Sequence, residues 1–257
     1  MTTKLETTLS QLRLNDGSKH ITDINLDDCG LTEIPDEIYL PHIAPFVEFL
    51  NLGGNQISSL PLKFGALKNL RILFFAGNRF TSIPDILGEL PNLSMLSFKE
   101  NQISSVSETC LSPSICWLIL TGNQITELPK SIGRCVGLRK CMLSLNQLTE
   151  LPEEMSNCTE LELIRLAGNR FTSLPPWLPN LPKLSWLAYA GNKMEYTDGY
   201  TDEAVIERKL VEVDWEDIRL HAKLGEGASG SVHAMNCSHF AEPVAIKLFK
   251  SGGTRCN

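Results

Sequence analysis

One motif recurs along most of this chain, and it constrains the fold more than any other feature. It reads apolar-x-x-apolar-x-apolar-x-x-Asn-x-apolar-x-x-apolar-Pro, and the units at Val47–Pro61 and Leu70–Pro84 fit it fully. Recurrence at a spacing of this length indicates a solenoid of stacked repeats. The remaining units begin at Leu93, Ile115, Leu138, Leu161 and Leu184, and a degenerate first unit begins at Ile21 with Cys29 in the asparagine position.

The physical role of each motif position predicts how the units stack. The apolar-x-apolar segment is typical of a short strand, whose side chains alternate between two faces. The asparagine amide can bond free backbone groups where the strand ends. The Leu-Pro step then takes the chain along the convex side without a full helix, because proline lacks the backbone donor. Stacking joins the apolar side chains into one continuous core.

This pattern resembles the short class of leucine-rich repeats. The resemblance implies an α/β fold over residues 21–195, with about eight units, a curved parallel sheet and an irregular or polyproline-type convex side. Residues 1–20 carry Leu5, Leu9 and Leu12 at helical spacing, which predicts a helix that caps the open end of the core.

The outward strand positions of such a solenoid line its concave face, and here many of them are large and apolar. A contiguous apolar surface indicates a protein-binding site. The alternative is that these side chains pack against each other along the curved sheet. The candidate partner surface consists of Phe49, Ile72, Phe74, Met95, Trp117, Ile119, Met142, Leu163 and Trp186.

Charge and composition restrict the other classes of function. A formal net charge of -7 disfavours nucleic acid as a partner, because phosphate binding needs a basic surface. No apolar run is long enough to predict a membrane span, and the N-terminus has no secretory pattern. The 8 cysteines are scattered without zinc-site spacing, which favours reduced, buried thiols and a cytoplasmic location. No catalytic or metal-binding cluster is predicted.

A second motif follows the repeats. Residues 196–213 are polar and partly acidic, and we interpret them as a linker. In residues 214–257, a strand-like lead-in precedes Gly225, Gly227, Gly230 and Val232, and a Val-Ala-Ile-Lys segment ending at Lys247 comes after them. The alternative interpretation is an unrelated glycine-rich hairpin.

This spacing resembles the glycine-rich loop and third strand of a protein kinase, and with the preceding repeats the chain resembles leucine-rich-repeat protein kinases. In that family the loop lies over the phosphates of ATP bound with Mg²⁺, and the lysine at the position of Lys247 holds the α- and β-phosphates. The resemblance implies that the ATP-binding residues are Leu224, Gly225, Glu226, Gly227, Ala228, Ser229, Gly230, Val232, Ala245 and Lys247.

The sequence also departs from the kinase pattern. The residues after Lys247 include no partner glutamate, no His-Arg-Asp catalytic loop and no Asp-Phe-Gly metal ligand. We therefore expect an inactive N-terminal portion of a kinase, Ser/Thr-specific by resemblance, that does not bind ATP tightly. The solenoid would then select partners, and the protein's own kinase domain is one candidate partner. Two alternatives stay open, a stand-alone scaffold or competitor without catalysis and a nucleotide-sensing pseudokinase-like protein.

Overall fold

The computed structural model describes residues 3–194, 217–227, 230–236 and 244–249. The chain divides into two compact units, Met1–Glu195 and Tyr196–Asn257, and each is described by itself below. The linker predicted at residues 196–213 lies outside the described residues, as do Ala228 and Ser229.

The first unit is built on a parallel sheet of 8 short strands that follow one another in chain order. Each strand is 3 residues long, and its central residue is buried or nearly so, while its two neighbours point to the opposite face. One strand per unit confirms the predicted repeat. The strands are β1 Asp23–Asn25, β2 Phe49–Asn51, β3 Ile72–Phe74, β4 Met95–Ser97, β5 Trp117–Ile119, β6 Lys140–Met142, β7 Leu163–Arg165 and β8 Trp186–Ala188.

A ladder of asparagine side chains links each unit to the preceding one. Asn123 donates from Nδ2 to the carbonyls of Leu120 in its own unit and Phe98 in the unit before, both at 2.9 Å. Its Oδ1 accepts the backbone N–H of Ile103, in the unit before, at 3.0 Å. The motif asparagines therefore satisfy buried backbone groups across every junction. The same arrangement recurs at Asn55, Asn78, Asn101, Asn146, Asn169 and Asn192.

The return side of each unit differs in one respect from the expected irregular chain. Five motif prolines do adopt extended, polyproline-like angles, such as φ -70° and ψ 150° at Pro129, but a short 3₁₀ helix begins directly after each of them. Proline suits this position because the first residues of a helix need no intrahelical donor. The five 3₁₀ helices that follow a motif proline are Asp36–Tyr39, Leu62–Ala66, Asp85–Glu89, Lys130–Arg134 and Glu153–Asn157, and two others are Ala44–Phe46 and Leu178–Asn180.

The unit in which Ser107 replaces the proline has turns instead of a 3₁₀ helix. There the Glu108 carboxylate accepts the backbone N–H groups of Lys130 and Ser131, at 3.0 and 2.8 Å, at the start of the next unit's 3₁₀ helix. These hydrogen bonds lower the pKa of Glu108. The side chain thus satisfies free helix-end donors across the junction that lacks the motif proline.

The predicted N-terminal helix is present as α1, Lys4–Leu14. Thr3 begins it by accepting the backbone N–H of Glu6 on its hydroxyl, as N-cap residues do. Leu9 and Leu12 are buried and belong to the same apolar core as the repeats. The helix therefore covers apolar side chains that the first unit would otherwise expose to water.

The cysteines of the repeats are free thiols. Cys110, Cys135, Cys141 and Cys158 are buried, and burial raises the pKa of both Cys110 and Cys135 to about 11. A thiol with so high a pKa is a poor nucleophile at neutral pH. Cys29 donates its thiol to the carbonyl of Asp27, at 3.4 Å, in the asparagine position of the first unit.

The second unit contains an antiparallel sheet of three strands, β9 Arg219–Gly227, β10 Gly230–Asn236 and β11 Val244–Phe249. β10 lies in the middle, between β9 and β11. Gly227 pairs with Gly230, at neighbouring ends of β9 and β10.

Candidate protein-binding face and nucleotide-loop residues

The outward side chains of β2–β8 form the surface that we call the strand face. Strand register puts them in two rows, because each strand pairs with the next at equivalent motif positions. The first row is Phe49, Ile72, Met95, Trp117, Lys140, Leu163 and Trp186, and the second is Asn51, Phe74, Ser97, Ile119, Met142, Arg165 and Ala188. All nine residues of the candidate partner surface therefore lie on one face.

Most apolar side chains of these rows are half-buried, because neighbouring strands bring them into mutual contact. The rings of Phe49 and Phe74 meet edge to face, with centroids 5.7 Å apart. Trp186, on the last strand, is 57 % exposed. Mutual packing thus accounts for part of the burial, and the aromatic surface that is left is accessible from solvent.

Charge on the two rows is concentrated on β6 and β7. The Lys140 ammonium lies 3.8 Å from the centroid of the Trp117 ring, and Arg165 is exposed on the next strand. Neither cation forms an ion pair within the part of the chain that the structure describes. The carboxyl of Glu160 is already bonded by Lys183 at 2.6 Å, which lowers its pKa.

One exposed residue, which lies in the loop after β6, was not predicted from the sequence. Leu145, which follows β6, is 63 % exposed and has a left-handed φ of 57°. Bulky side chains rarely adopt this conformation, and strain of this kind tends to be kept where a residue serves a function. A sequence signal exists, because the residue before the motif asparagine is glycine in most units, at Gly54, Gly77, Gly122, Gly168 and Gly191.

Part of the predicted nucleotide site can be located in the second unit. Val232 pairs with Gly225 on one side and with Lys247 on the other, so these three residues share one cross-strand position. Nothing lies within 4 Å of the place where a Cβ on Gly225 would be, which leaves room for a ligand to approach the backbone. Leu224 is 61 % exposed, and Ala245 is also exposed. Of Glu226, Gly227, Gly230 and Lys247 the structure describes only the backbone positions.

The described residues contain no group of three or more His, Cys, Asp or Glu side chains placed to hold a metal ion. Within the same ranges, no helix has the length and apolar character needed to cross a membrane.

Comparisons with known proteins concern the repeats. Residues 45–88 match a family model of two leucine-rich repeats, and residues 160–181 match a single leucine-rich repeat. Among solved structures, a leucine-rich-repeat protein of Leptospira interrogans is similar with a TM-score of 0.63 and 31% identity. The match covers 76% of this chain and 49% of that protein, so the chain spans about half the length of its relative. No curated protein matches the sequence.

Proposed function

We propose that the leucine-rich-repeat solenoid of this chain is a protein-binding module whose contact surface is the strand face. The observation that supports this proposal most directly is the alignment of large apolar side chains in two rows with aromatic residues among them. Protein interfaces are enriched in tryptophan, tyrosine and arginine, and a few such residues contribute most of the binding energy. Trp117, Trp186 and Arg165 fit this composition, and all three lie within four neighbouring strands.

The second candidate function concerns nucleotide. The shared cross-strand position of Gly225, Val232 and Lys247 and the open space over Gly225 are compatible with a kinase-like glycine-rich loop. In the family that the sequence resembles, bound ATP would supply the phosphoryl group, and Lys247 would hold its phosphates. The family models match only within the repeats, and a scaffold without catalysis accounts for them equally well. We therefore put protein binding first.

The main test of protein binding is the loss of affinity when a tryptophan of the strand face is removed. A partner is first isolated on the immobilised chain and identified, and its Kd is then measured by calorimetry with purified protein. We expect Trp117→Ala and Trp186→Ala each to raise the Kd by about 30-fold, the effect of losing about 2 kcal/mol at a central aromatic contact.

A control uses an apolar residue that is more exposed than either tryptophan but lies away from the strand face. Leu62, at the start of a 3₁₀ helix, is 87 % exposed, and Leu62→Ala should leave the Kd unchanged. Thermal unfolding of Trp186→Ala should match that of the native chain, because its ring is mostly in water. Equal loss of affinity in all three variants would contradict the proposed surface.

For the nucleotide site, we expect Mg-ATP to bind no tighter than about millimolar. A sheet of only three strands is marginal unless another layer covers its apolar face, and the described residues offer no cluster that could hold Mg²⁺ beside the phosphates. Calorimetry on the 257-residue chain measures this directly. A micromolar Kd that Lys247→Met abolishes would overturn the prediction and favour the nucleotide-sensing alternative.

A further inference from the structure

The most chemically distinctive part of the strand face is a group of four side chains on β6 and β7, which we call the mixed tile. Lys140 and Met142 project from β6, and Leu163 and Arg165 project from β7. The register pairs Lys140 with Leu163 and Met142 with Arg165, so the two cations occupy one diagonal and the two apolar groups the other. Each strand therefore presents one cation and one apolar side chain, two residues apart.

The two cations of the mixed tile are available to a partner. In the described residues no carboxylate lies within 4.0 Å of either cation. The contact of Lys140 with the Trp117 ring leaves its ammonium able to pair with an anionic group of a partner. The only acidic side chain in the corresponding positions of the sheet is Asp23, on β1 at the far end. Unpaired cations on a binding face favour an anionic partner, because complementary charge accelerates and orients docking.

The two apolar side chains of the mixed tile, Met142 and Leu163, restrict the kind of anionic partner that can bind there. A polyanion such as nucleic acid would place phosphates against Met142 and Leu163, and the net charge of -7 would repel it. A polypeptide can alternate charged and apolar side chains on one face, and two residues of an extended chain advance about 6.6 Å. That advance equals the separation of Lys140 from Met142 along β6, and of Leu163 from Arg165 along β7.

We propose that the mixed tile binds an extended segment of a partner protein that carries a carboxylate and a large apolar side chain two residues apart. This inference rests on the proposed function and adds the chemistry of the partner to it. The carboxylate lies over Lys140 or Arg165, and the apolar side chain lies over Met142 or Leu163. Leu145 is exposed three residues after Met142, in the loop that follows β6, and we test below whether it adds an apolar contact to the tile.

The test is a selection of short random peptides displayed on phage, with the full chain immobilised as bait. We expect the enriched sequences to contain Asp or Glu two positions from Leu, Ile, Met or an aromatic residue. The double variant Lys140→Glu/Arg165→Glu should reduce this enrichment by about tenfold or more. The control Arg79→Glu/Arg170→Glu changes the charge equally at exposed positions in the loops after the motif asparagines, and it should leave the enrichment intact.

A second arm uses a synthetic copy of the peptide that is enriched most and measures its Kd. Leu145→Gly should weaken binding, and it should also raise the thermal midpoint, because glycine adopts a left-handed φ without strain. Glu100→Gly is the matched control, since Glu100 has a similar φ of 56° two units away. It should raise the midpoint without changing the Kd. A purely structural role for Leu145 would leave the Kd unchanged in both variants.

The outcomes separate this inference from the proposed function. If the enriched peptides lack acidic residues and Trp117→Ala abolishes their enrichment, the mixed tile is not the binding site, but the strand face remains a binding surface. Enrichment of basic peptides, or no enrichment at all, would also contradict the proposed role of the tile. The same holds if the two charge-reversal variants reduce peptide enrichment equally. If acidic-apolar peptides bind and Trp117→Ala has no effect, the tile stands and the wider surface is wrong.

Discussion

Phe75→Ala should lower the free energy of unfolding of the solenoid by about 3–5 kcal/mol, the range for deleting a fully buried aromatic ring. Phe75 is 0% exposed and lies at the centre of an aromatic cluster. Its ring centroid is 4.9 Å from that of Phe80 and 5.2 Å from that of Phe98, which are themselves 5.0 Å apart. Urea unfolding followed by circular dichroism measures the change. Because three rings contact one another across consecutive units, the cavity cannot close by the movement of one side chain.

Phe74→Ala is the matched control, because it removes the same ring from the neighbouring residue on the other side of the sheet. Phe74 is half-buried, and its ring contacts the ring of Phe49 edge to face. We expect a loss of about 1 kcal/mol, the contribution of an edge-to-face pair. Similar losses in the two variants would mean that the strand face is as tightly packed as the core, which would argue against its availability to a partner.

Asn123→Ala should lower the free energy of unfolding by about 1–3 kcal/mol, the cost of one buried backbone group left without a partner. The side chain makes three hydrogen bonds, but two of the carbonyls that it serves also accept from another asparagine. The Phe98 carbonyl also accepts from Asn101, and the Leu120 carbonyl also accepts from Asn146. Within the described residues the N–H of Ile103 bonds only to Asn123, so it is the group left without a partner.

Gln124→Ala serves as the control for that measurement, because Gln124 is the adjacent residue and its side chain is exposed. It should change the unfolding free energy by less than about 0.5 kcal/mol, as most surface substitutions do. A loss well above 3 kcal/mol for Asn123→Ala would show that the shared carbonyls do not compensate, and that each amide contributes independently.

The repeat period was sufficient to predict the strands, their order and their register. A motif position that recurs in every unit meets its equivalent in the next unit when the units stack, so Phe49 and Ile72 had to become neighbours. The inward role of the asparagine followed from the same logic. The capping helix was also predictable, since Leu9 and Leu12 could only be buried if a helix turned them towards the open core.

Other features depended on geometry that no single motif position encodes. Several of the 3₁₀ helices contact the 3₁₀ helix of a neighbouring unit, which the motif of one unit does not encode, and proline is compatible with either an irregular or a helical path. The contact of Lys140 with Trp117 joins side chains of different units, and the sequence marks Leu145 only indirectly, by its place at a position that is glycine in most units.

The asparagine ladder also determines which motif positions of this array tolerate substitution during evolution. Each amide oxygen serves an N–H of the preceding unit, so an internal asparagine cannot change without orphaning a donor in its neighbour. The first unit follows α1 and not another repeat, so its asparagine position has no such donor to serve. A residue that only donates is sufficient there, and Cys29 donates to the Asp27 carbonyl. Selection for asparagine is accordingly relaxed at one end of the array, whereas duplication or deletion of whole internal units would preserve every bond of the ladder.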